Sequence, residues 1–212
     1  MPRHKTWTLT DVADDVWLDS FAVTNDSLRL ATPHDWSIRK RTLRGGRRDG
    51  VDLIEIHNGA LSYSIMPTRG MGLWRGEYRG NFLGWRSPVL GPVHPHFVDL
   101  SERGGLGWLA GFDEFICRCG LSSNGPPGED SYTTKNGQTV CAQLTLHGRV
   151  ANSPAHHVEV RVNLRTASFR FHGGPTPGFR QQHSAAKIDY GRARAVLVID
   201  GVHVALDHCD CI

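Results

Sequence analysis

The sequence predicts an all-β protein built as an antiparallel β-sandwich. Short runs in which apolar and polar residues alternate recur along the chain, as they do in half-buried strands. Turn-forming residue pairs separate several of these runs, and Asn58 with Gly59 is the clearest pair. The sequence shows no rhythm of alternating strands and helices, no glycine-rich phosphate loop and no heptad repeat. These observations favour antiparallel sheets over α/β and coiled-coil architectures.

The predicted elements follow the chain as a series of hairpins. Residues 51–57 and 60–66 flank Asn58 and Gly59, which is the strongest short-range signal for a hairpin. One or two helical turns are predicted near residues 106–115. The other predicted strands are 73–78 and 81–85 about Arg79 and Gly80, then 138–146, 156–163, and a hairpin over 196–206 about Asp200 and Gly201.

Composition excludes several classes of protein. The chain has 212 residues, 39% hydrophobic and 21% charged, which fits one soluble globular all-β domain. The net charge of +3 is small and scattered, so no nucleic-acid partner is expected. The densest basic stretch, residues 39–48, lacks interleaved aromatic residues and is predicted to be a solvated loop or strand edge.

Targeting signals and a disulfide framework are also absent from the sequence. No segment approaches the roughly 18 consecutive apolar residues of a membrane span. The amino terminus lacks the apolar region of a secretory signal. Five cysteines are an odd number and imply no disulfide framework. We therefore expect a cytoplasmic, reduced protein with no membrane partner.

Residues 66–124 have the composition of a sugar-binding segment. Glycine, tryptophan, arginine and carboxylate residues are interleaved along this segment. Aromatic faces cover the C–H surfaces of a sugar, while Arg, Asp, Glu and Asn hydrogen-bond to its hydroxyl groups. The sequence thus predicts a small-molecule sugar as the binding partner.

A series of motifs, in the order PTRGMG, GWRSP, GGLGWLAGFDE, RCGLSSNGPPG, LHGRVAN and PAHHVEV, lies within residues 5–162. With these motifs the chain resembles the galactose-mutarotase-like superfamily, in a branch related to the aldose 1-epimerases. The resemblance implies a β-supersandwich fold and a carbohydrate-binding protein. It also implies interconversion of sugar anomers by acid/base proton transfer, which needs no cofactor.

The resemblance stops near residue 162, although members of the superfamily are longer. Residues 163–212 do not resemble the expected continuation. A frameshift or a mispredicted gene end would produce such an unrelated stretch. We therefore expect residues 1–162 to be the amino-terminal part of the sandwich and residues 163–212 to be an unassigned, poorly packed tail. Such a truncated enzyme would be impaired, and the alternative is a non-catalytic sugar-binding protein or an inactive fragment.

The resemblance points to His147 as the catalytic residue. A mutarotase needs one group that protonates the ring oxygen and another that accepts the anomeric hydroxyl proton, and histidine suits such transfers at neutral pH. His147 lies in the LHG turn, and Arg149 is predicted on the same strand face. Taken alone, a histidine at a strand end is more often structural. The superfamily's second histidine and its glutamate base match no residue of this chain.

Further sugar contacts are predicted on both sides of His147. Adjacent carboxylates in an extended segment face opposite ways, so at most one of Asp113 and Glu114 enters a given cleft. One of them is expected to hydrogen-bond a sugar hydroxyl or to pair with Arg69 or Arg118, and the alternative is a helix-end or surface pair. Arg69, in a turn, contacts sugar or instead ties that turn to a neighbouring strand. Trp108, beside glycines, is favoured over Trp74 and Trp85 for stacking, although buried tryptophan is more often core. The predicted substrate-binding residues are Arg69, Trp108, Asp113, Glu114, Arg118, Asn124, Arg149 and Asn152.

The cysteines and histidines do not predict a metal site. Structural zinc sites usually space their cysteines two to four residues apart, whereas Cys117 and Cys119 have one residue between them. Cys119 is predicted to be a small buried residue. Cys209 and Cys211 lie in the tail, and His94 is predicted in a metal-free loop. No metal and no cofactor is expected.

Overall fold

A computed structural model describes residues 4–31, 34–120, 123–164, 169–174, 194–199 and 202–208. Across these residues, fourteen strands form two six-stranded sheets and one two-stranded ribbon. The described part of the chain has a single short α-helix, α1 (Glu102–Gly105), and 3₁₀ turns that include Gly107–Ala110. The predicted all-β sandwich is therefore confirmed, as is a helical turn near residues 106–115.

The first sheet joins the beginning of the chain to its later part. In sheet order its strands are β13 (Arg194–Ile199), β14 (Val202–His208), β12 (Phe169–Gly174), β11 (His157–Asn163), β1 (His4–Asp11) and β2 (Val16–Trp17). All pairs are antiparallel except β12 with β14. Beside the β1–β11 pair, Nδ1 of His157 lies 2.9 Å from Oδ2 of Asp11. The predicted hairpin over 196–206 is confirmed, whereas β12 was not predicted.

The second sheet is an antiparallel meander of six consecutive strands. They are β3 (Ser20–Thr24), β4 (Ser37–Thr42), β5 (Asp52–His57), β6 (Leu61–Met66), β7 (Gly72–Tyr78) and β8 (Asn81–Gly84). The ribbon pairs β9 (Gly128–Thr133) with β10 (Thr139–Leu144). The two predicted hairpins are thus β5–β6 and β7–β8, each within one residue of its predicted bounds.

Both hairpin turns use the residue pairs that the sequence indicates. Asn58 Oδ1 accepts hydrogen bonds from the backbone N–H groups of Ala60, at 3.2 Å, and Leu61, at 2.7 Å. In the second turn, Arg79 and Gly80 have φ of 48° and 82°. Positive φ at both central residues matches the right-handed twist of the flanking strands.

The main core lies between the two six-stranded sheets. Because residues alternate across a strand, Ile54 and Ile56 of β5 enter this core while Leu53 joins a smaller cluster with Met66 and Trp74. Full burial of an Ile or Val side chain contributes roughly 1.5–3 kcal/mol. The buried core residues are Leu9, Val23, Trp36, Ile38, Ile54, Ile56, Leu61, Tyr63, Ile65, Val158, Val160 and Val162.

The basic stretch 39–48 differs in part from its prediction. Residues 39–42 belong to β4, which lies inside the sheet between β3 and β5. Lys40 is 2% exposed. Its Nζ lies 2.9 Å from Asp52 Oδ2 and donates to the Leu18 carbonyl. A buried lysine of this kind is tolerated because both a carboxylate and a carbonyl satisfy it.

The boundary proposed at residue 162 stays a prediction. Strands β12 to β14 continue the first sheet beyond this point. The predicted poor packing concerns side chains after residue 164, which lie outside the described residues. Within the described residues, no helix has both the length and the apolar character to cross a membrane.

Candidate functional site

Most of the predicted site residues lie in two loop regions. The first region runs from the end of β8 to the start of β9, and the second follows β10. Together with the turn after β6, these loops build two neighbouring features. We call them the buried polar cluster, formed by Arg69, Glu114, Arg118 and Asn152, and the cleft, which is defined below.

Arg69 and Glu114 form the centre of the buried polar cluster. They are 0% and 1% exposed. Arg69 Nε donates to Glu114 Oε1 at 2.9 Å, and Arg69 Nη1 donates to Asn152 Oδ1 at 2.8 Å and to the Val93 carbonyl at 3.1 Å. A charge-assisted pair with these additional hydrogen bonds meets the requirements for ions held away from water.

Arg118 adds a second guanidinium to the same carboxylate. Its Nη2 lies 3.3 Å from Glu114 Oε1 and donates to the Arg69 carbonyl at 2.7 Å, while Nη1 donates to the Gly70 carbonyl. Gly70 has φ of 56°, and a Cβ placed there would lie 2.1 Å from the Val150 carbonyl oxygen. The close approach of these two segments therefore requires glycine.

The buried polar cluster matches the structural alternative for Arg69, because its side chain ties the turn after β6 to two other segments. Arg69 Nη2 and Asn152 Nδ2 are buried donors for which the described residues offer no acceptor. The cluster thus retains capacity for further hydrogen bonds. Sugar contact by Arg69, Glu114, Arg118 and Asn152 stays a prediction.

Asp113 and Glu114 face opposite ways, as the extended segment predicts. Whereas Glu114 enters the buried polar cluster, Asp113 Oδ2 accepts a hydrogen bond from Trp74 Nε1 at 2.8 Å. Burial raises the pKa of the half-buried Asp113 carboxyl, and the Trp74 hydrogen bond opposes part of that rise. A Cβ on Gly91 would lie 2.3 Å from Asp113 Oδ2, so this carboxyl position depends on a glycine opposite it.

The cleft is a cavity of about 500 Å³ beside β7 and β8 that contains Asp113. This volume lies within the range of roughly 300–1,000 Å³ that small-molecule sites occupy. Trp85 presents an exposed ring, and the Arg75 guanidinium lies 3.8 Å from the centroid of the Trp74 ring. Side chains that line the cleft include Trp74, Phe82, Trp85, Ser87, Asp113, Arg47, Arg48, Arg75 and Arg86.

A row of four rings leads from the cleft to His147. The ring centroids of Trp85 and Phe112 are 6.0 Å apart, those of Phe112 and Trp108 are 4.4 Å apart, and those of Trp108 and His147 are 4.8 Å apart. Trp108 is 2% exposed, so it lies within the row as a core residue rather than at a surface. His147 is therefore connected to the cleft through packing and does not line it.

His147 occupies a turn, as the LHG motif predicts, and the backbone does not continue there as a strand. Strand β10 ends at Leu144, and His147 has φ of 57°. The predicted common strand face of His147 and Arg149 is therefore wrong, because the backbone reverses between β10 and the following 3₁₀ turn. Arg149 and Asn124 are exposed, and His147 Nδ1 lies 3.4 Å from the Asn124 carbonyl oxygen.

Cys117 and Cys119 lie next to His147. Both cysteines are exposed, so the predicted burial of Cys119 is wrong. One ligand atom from each of Cys117, Cys119 and His147 falls within 4.8 Å of the other two. Among the residues that the structure describes, these three are the ones placed closely enough to hold a metal ion together.

Sequence reasoning missed most of the residues that line the cleft. Phe82, Arg75 and Arg86 were assigned no role, and Arg47 and Arg48 were predicted only to be solvated. They come from three separate segments, which no spacing rule links. The GWRSP motif, which contains Trp85, Arg86 and Ser87, was the signal that could have pointed to the cleft.

Comparisons with known proteins agree with this architecture. Residues 48–173 match the family described as Domain of unknown function (DUF4432), and the match ends inside β12. The chain is also similar to a provisionally named aldose 1-epimerase from Klebsiella pneumoniae subsp. pneumoniae, with 37% sequence identity and a TM-score of 0.70. That similarity covers 80% of this chain and 42% of the Klebsiella protein. A comparison with curated proteins found no match.

Proposed function

Because the chain belongs to the DUF4432 family and its fold is that of the galactose-mutarotase-like proteins, we propose that its cleft binds a sugar. The observation that carries this proposal is the Asp113 carboxyl, which lies half-buried in a cleft with exposed aromatic rings and arginines. Carboxylates and guanidinium groups hydrogen-bond to hydroxyl groups, and aromatic faces cover C–H surfaces.

Two exposed aromatic rings contribute to the apolar surface of the cleft. Trp85 is 45% exposed and Phe82 is 46% exposed, so both rings can contact a ligand without rearrangement. Trp85 also rests on Phe112, which fixes its orientation. A preformed stacking surface lowers the entropy cost of binding.

The arginines make the polar side of the cleft predominantly positive. Arg75 is held over Trp74, and Arg47 donates to the carbonyls of Phe97 and Ala110. Asp113 is the single carboxylate among the described residues that line the cleft. This charge pattern suits hydroxyl, carboxylate or phosphate oxygens of a sugar, and a test panel should include neutral and anionic aldoses.

Asp113 is also the group in the cleft that suits proton transfer. Its raised pKa keeps a larger fraction protonated at a given pH than an ordinary aspartate would have, so the carboxyl can donate as well as accept a proton. On this basis we extend the proposal to anomer interconversion of the aldose 1-epimerase kind. A non-catalytic sugar-binding protein is the alternative, since no second acid or base is assigned in the cleft.

Binding can be tested by ligand-observed NMR with a panel of aldoses and the purified chain. Trp85→Ala is expected to weaken binding about two- to twelvefold, because an aromatic stacking contact contributes roughly 0.5–1.5 kcal/mol. Phe115→Ala is the matched control, since Phe115 is 41% exposed and lies outside the cleft. Absence of saturable binding, or equal losses in the two variants, would refute the proposal.

The catalytic extension has a separate test. Polarimetry would follow the anomeric equilibration of each sugar that binds. We expect Asp113→Asn to abolish any acceleration over buffer while sugar binding weakens about tenfold to a hundredfold, the range for loss of a charged hydrogen bond. A wild-type rate equal to the buffer rate would leave binding as the function and reject turnover by this chain.

A further inference from the structure

We propose that Cys117, Cys119 and His147 form a zinc-binding site that is separate from the sugar cleft. None of these three residues lines the cleft. The inference therefore does not depend on sugar binding. It assigns His147 to a metal ion rather than to proton transfer, because a coordinated ring nitrogen cannot also donate a proton.

The two sulfur atoms already have the separation that a shared zinc ion requires. Cys117 Sγ and Cys119 Sγ are 3.6 Å apart. Two thiolates on a tetrahedral ion with Zn–S distances of about 2.3 Å would lie about 3.8 Å apart. The objection from the single-residue spacing does not hold here, because the backbone of this loop already brings the two sulfur atoms together. The third ligand comes from a different loop.

His147 is oriented as a ligand by its surroundings. Its Nδ1 lies 3.4 Å from the Asn124 carbonyl oxygen, and donation of that N–H leaves the lone pair of Nε2 available. Metal-binding histidines commonly donate their other ring N–H to a backbone carbonyl in this way. The Trp108 ring packs against the imidazole at an interplanar angle of 77° and limits its rotation.

Backbone hydrogen bonds hold the cysteine loop against the histidine turn. The Gly120 N–H donates to the His147 carbonyl at 3.0 Å, and the Arg149 N–H donates to the Gly120 carbonyl at 2.9 Å. The His147 N–H donates to the Gly125 carbonyl at 2.9 Å. His147 itself has φ of 57°, a conformation that costs free energy in a non-glycine residue. The loops thus fix the three ligands relative to one another.

The ligand chemistry favours zinc. Two thiolates and one neutral imidazole balance the charge of a divalent ion, and both ligand types are typical of zinc sites. Arg118, between the cysteines, directs its guanidinium to the carbonyls of Arg69 and Gly70 rather than to the sulfur atoms. Three protein ligands leave a fourth position that solvent can fill.

The test measures zinc uptake by the 212-residue chain after reduction and treatment with a chelator. The chain carries Cys209→Ser and Cys211→Ser, because these substitutions remove the other closely spaced pair of cysteines. Competition with a chromogenic chelator is expected to show one zinc per chain. Substitution of cobalt is expected to give tetrahedral d–d bands and a thiolate charge-transfer band. Cys117→Ser, Cys119→Ser and His147→Ala are each expected to weaken zinc binding at least about tenfold, as loss of a metal ligand should.

Cys141→Ser is the matched control, because Cys141 is another exposed free cysteine and lies in β10. It should leave zinc binding unchanged. Circular dichroism should confirm that each variant keeps its sheet content, as expected for exposed cysteines. Stoichiometric zinc binding that survives loss of both Cys117 and Cys119 would overturn the proposal. So would a reduced protein that takes up no zinc and forms only a Cys117–Cys119 disulfide on oxidation.

Discussion

Asp113 and Glu114 are adjacent carboxylates in very different environments. Glu114 is 1% exposed and accepts hydrogen bonds from Arg69, Arg118 and the Asp113 backbone N–H. Asp113 is half-buried, accepts one hydrogen bond from Trp74 and lies in the cleft. One segment can therefore hold loops together through one residue and present a reactive group to a ligand through the next.

The two carboxylates differ in how completely neighbouring groups compensate their negative charge. Around Glu114 two guanidinium groups compensate the charge, so removal of the carboxylate leaves cations in a buried site. Around Asp113 the compensation is partial, and burial raises its pKa. We therefore expect changes at Glu114 to affect stability most and changes at Asp113 to affect binding most.

The largest expected effect is that of Glu114→Ala. This variant should lose about 3–5 kcal/mol of unfolding free energy, because it leaves the buried Arg69 guanidinium without its counter-ion. Urea denaturation followed by tryptophan fluorescence measures the change. Glu102→Ala, at an exposed position, is the control and should stay within about 0.5 kcal/mol of wild type. Equal stability of the two variants would show that the buried polar cluster does not hold the loops.

The Arg69–Glu114 ion pair should show a measurable coupling energy. In a double-mutant cycle with Arg69→Met and Glu114→Leu, the double variant should lose less stability than the sum of the two single variants, by about 1–3 kcal/mol. The reason is that Glu114→Leu alone leaves two guanidinium groups without their carboxylate, whereas the double variant leaves only Arg118, which is partly exposed to solvent. Additive losses would mean that the ion pair contributes no coupling energy.

Gly91→Ala tests the position of the Asp113 carboxyl. The added Cβ would lie 2.3 Å from Asp113 Oδ2, so the carboxyl must move. We expect a stability loss of about 1–3 kcal/mol, as for other overpacked sites, together with weaker sugar binding by NMR titration. Gly128→Ala is the control, because a Cβ at Gly128 meets no atom within 4 Å. Unchanged binding in Gly91→Ala would argue against Asp113 as a sugar contact.

The smallest expected effect is a pH dependence that Asp113 imposes on stability. The folded-state pKa of Asp113 is raised above its ordinary value of 3.8, so the ionised form is disfavoured by folding. Its contribution to stability is therefore most favourable below 3.8, falls as the pH rises to the raised pKa, and is constant above it. Subtracting the pH–stability curve of Asp113→Asn from that of wild type should isolate this fall. A flat difference curve would contradict the raised pKa.

The part of the fold that sequence could predict is the part whose pattern is local. Strands β5 to β8 alternate clearly and are joined by short turns, so their hairpins follow from residue order alone. Strand β4 cannot be predicted locally because Lys40 interrupts its apolar pattern, and only its tertiary partners, Asp52 and the Leu18 carbonyl, explain why a lysine is buried there. Strand β1 has its main partner far along the chain, which no local pattern reveals.

The site divides in the same way. Arg69, Glu114 and Arg118, which the motifs group as sugar contacts, contact one another in the structure, and their contact with sugar stays a prediction. Motifs could not distinguish a buried ion pair from a ligand contact, because burial depends on how distant loops pack. The arrangement of Arg75 and Arg86 around the cleft and the approach of Cys117 to His147 likewise arise from tertiary packing alone.

The pairing of β1 with β11 has a consequence for the order of folding. His4 lies opposite Asn163, so β1 has no β11 to pair with until the ribosome has synthesised residues up to about 163. The β3–β8 meander, by contrast, needs only neighbouring segments and can form while the ribosome is still translating. Pairings between strands distant in sequence slow folding because a long loop must close first. We expect closure of the first sheet to be the slow step, during which the apolar face of the meander is exposed to other nascent chains.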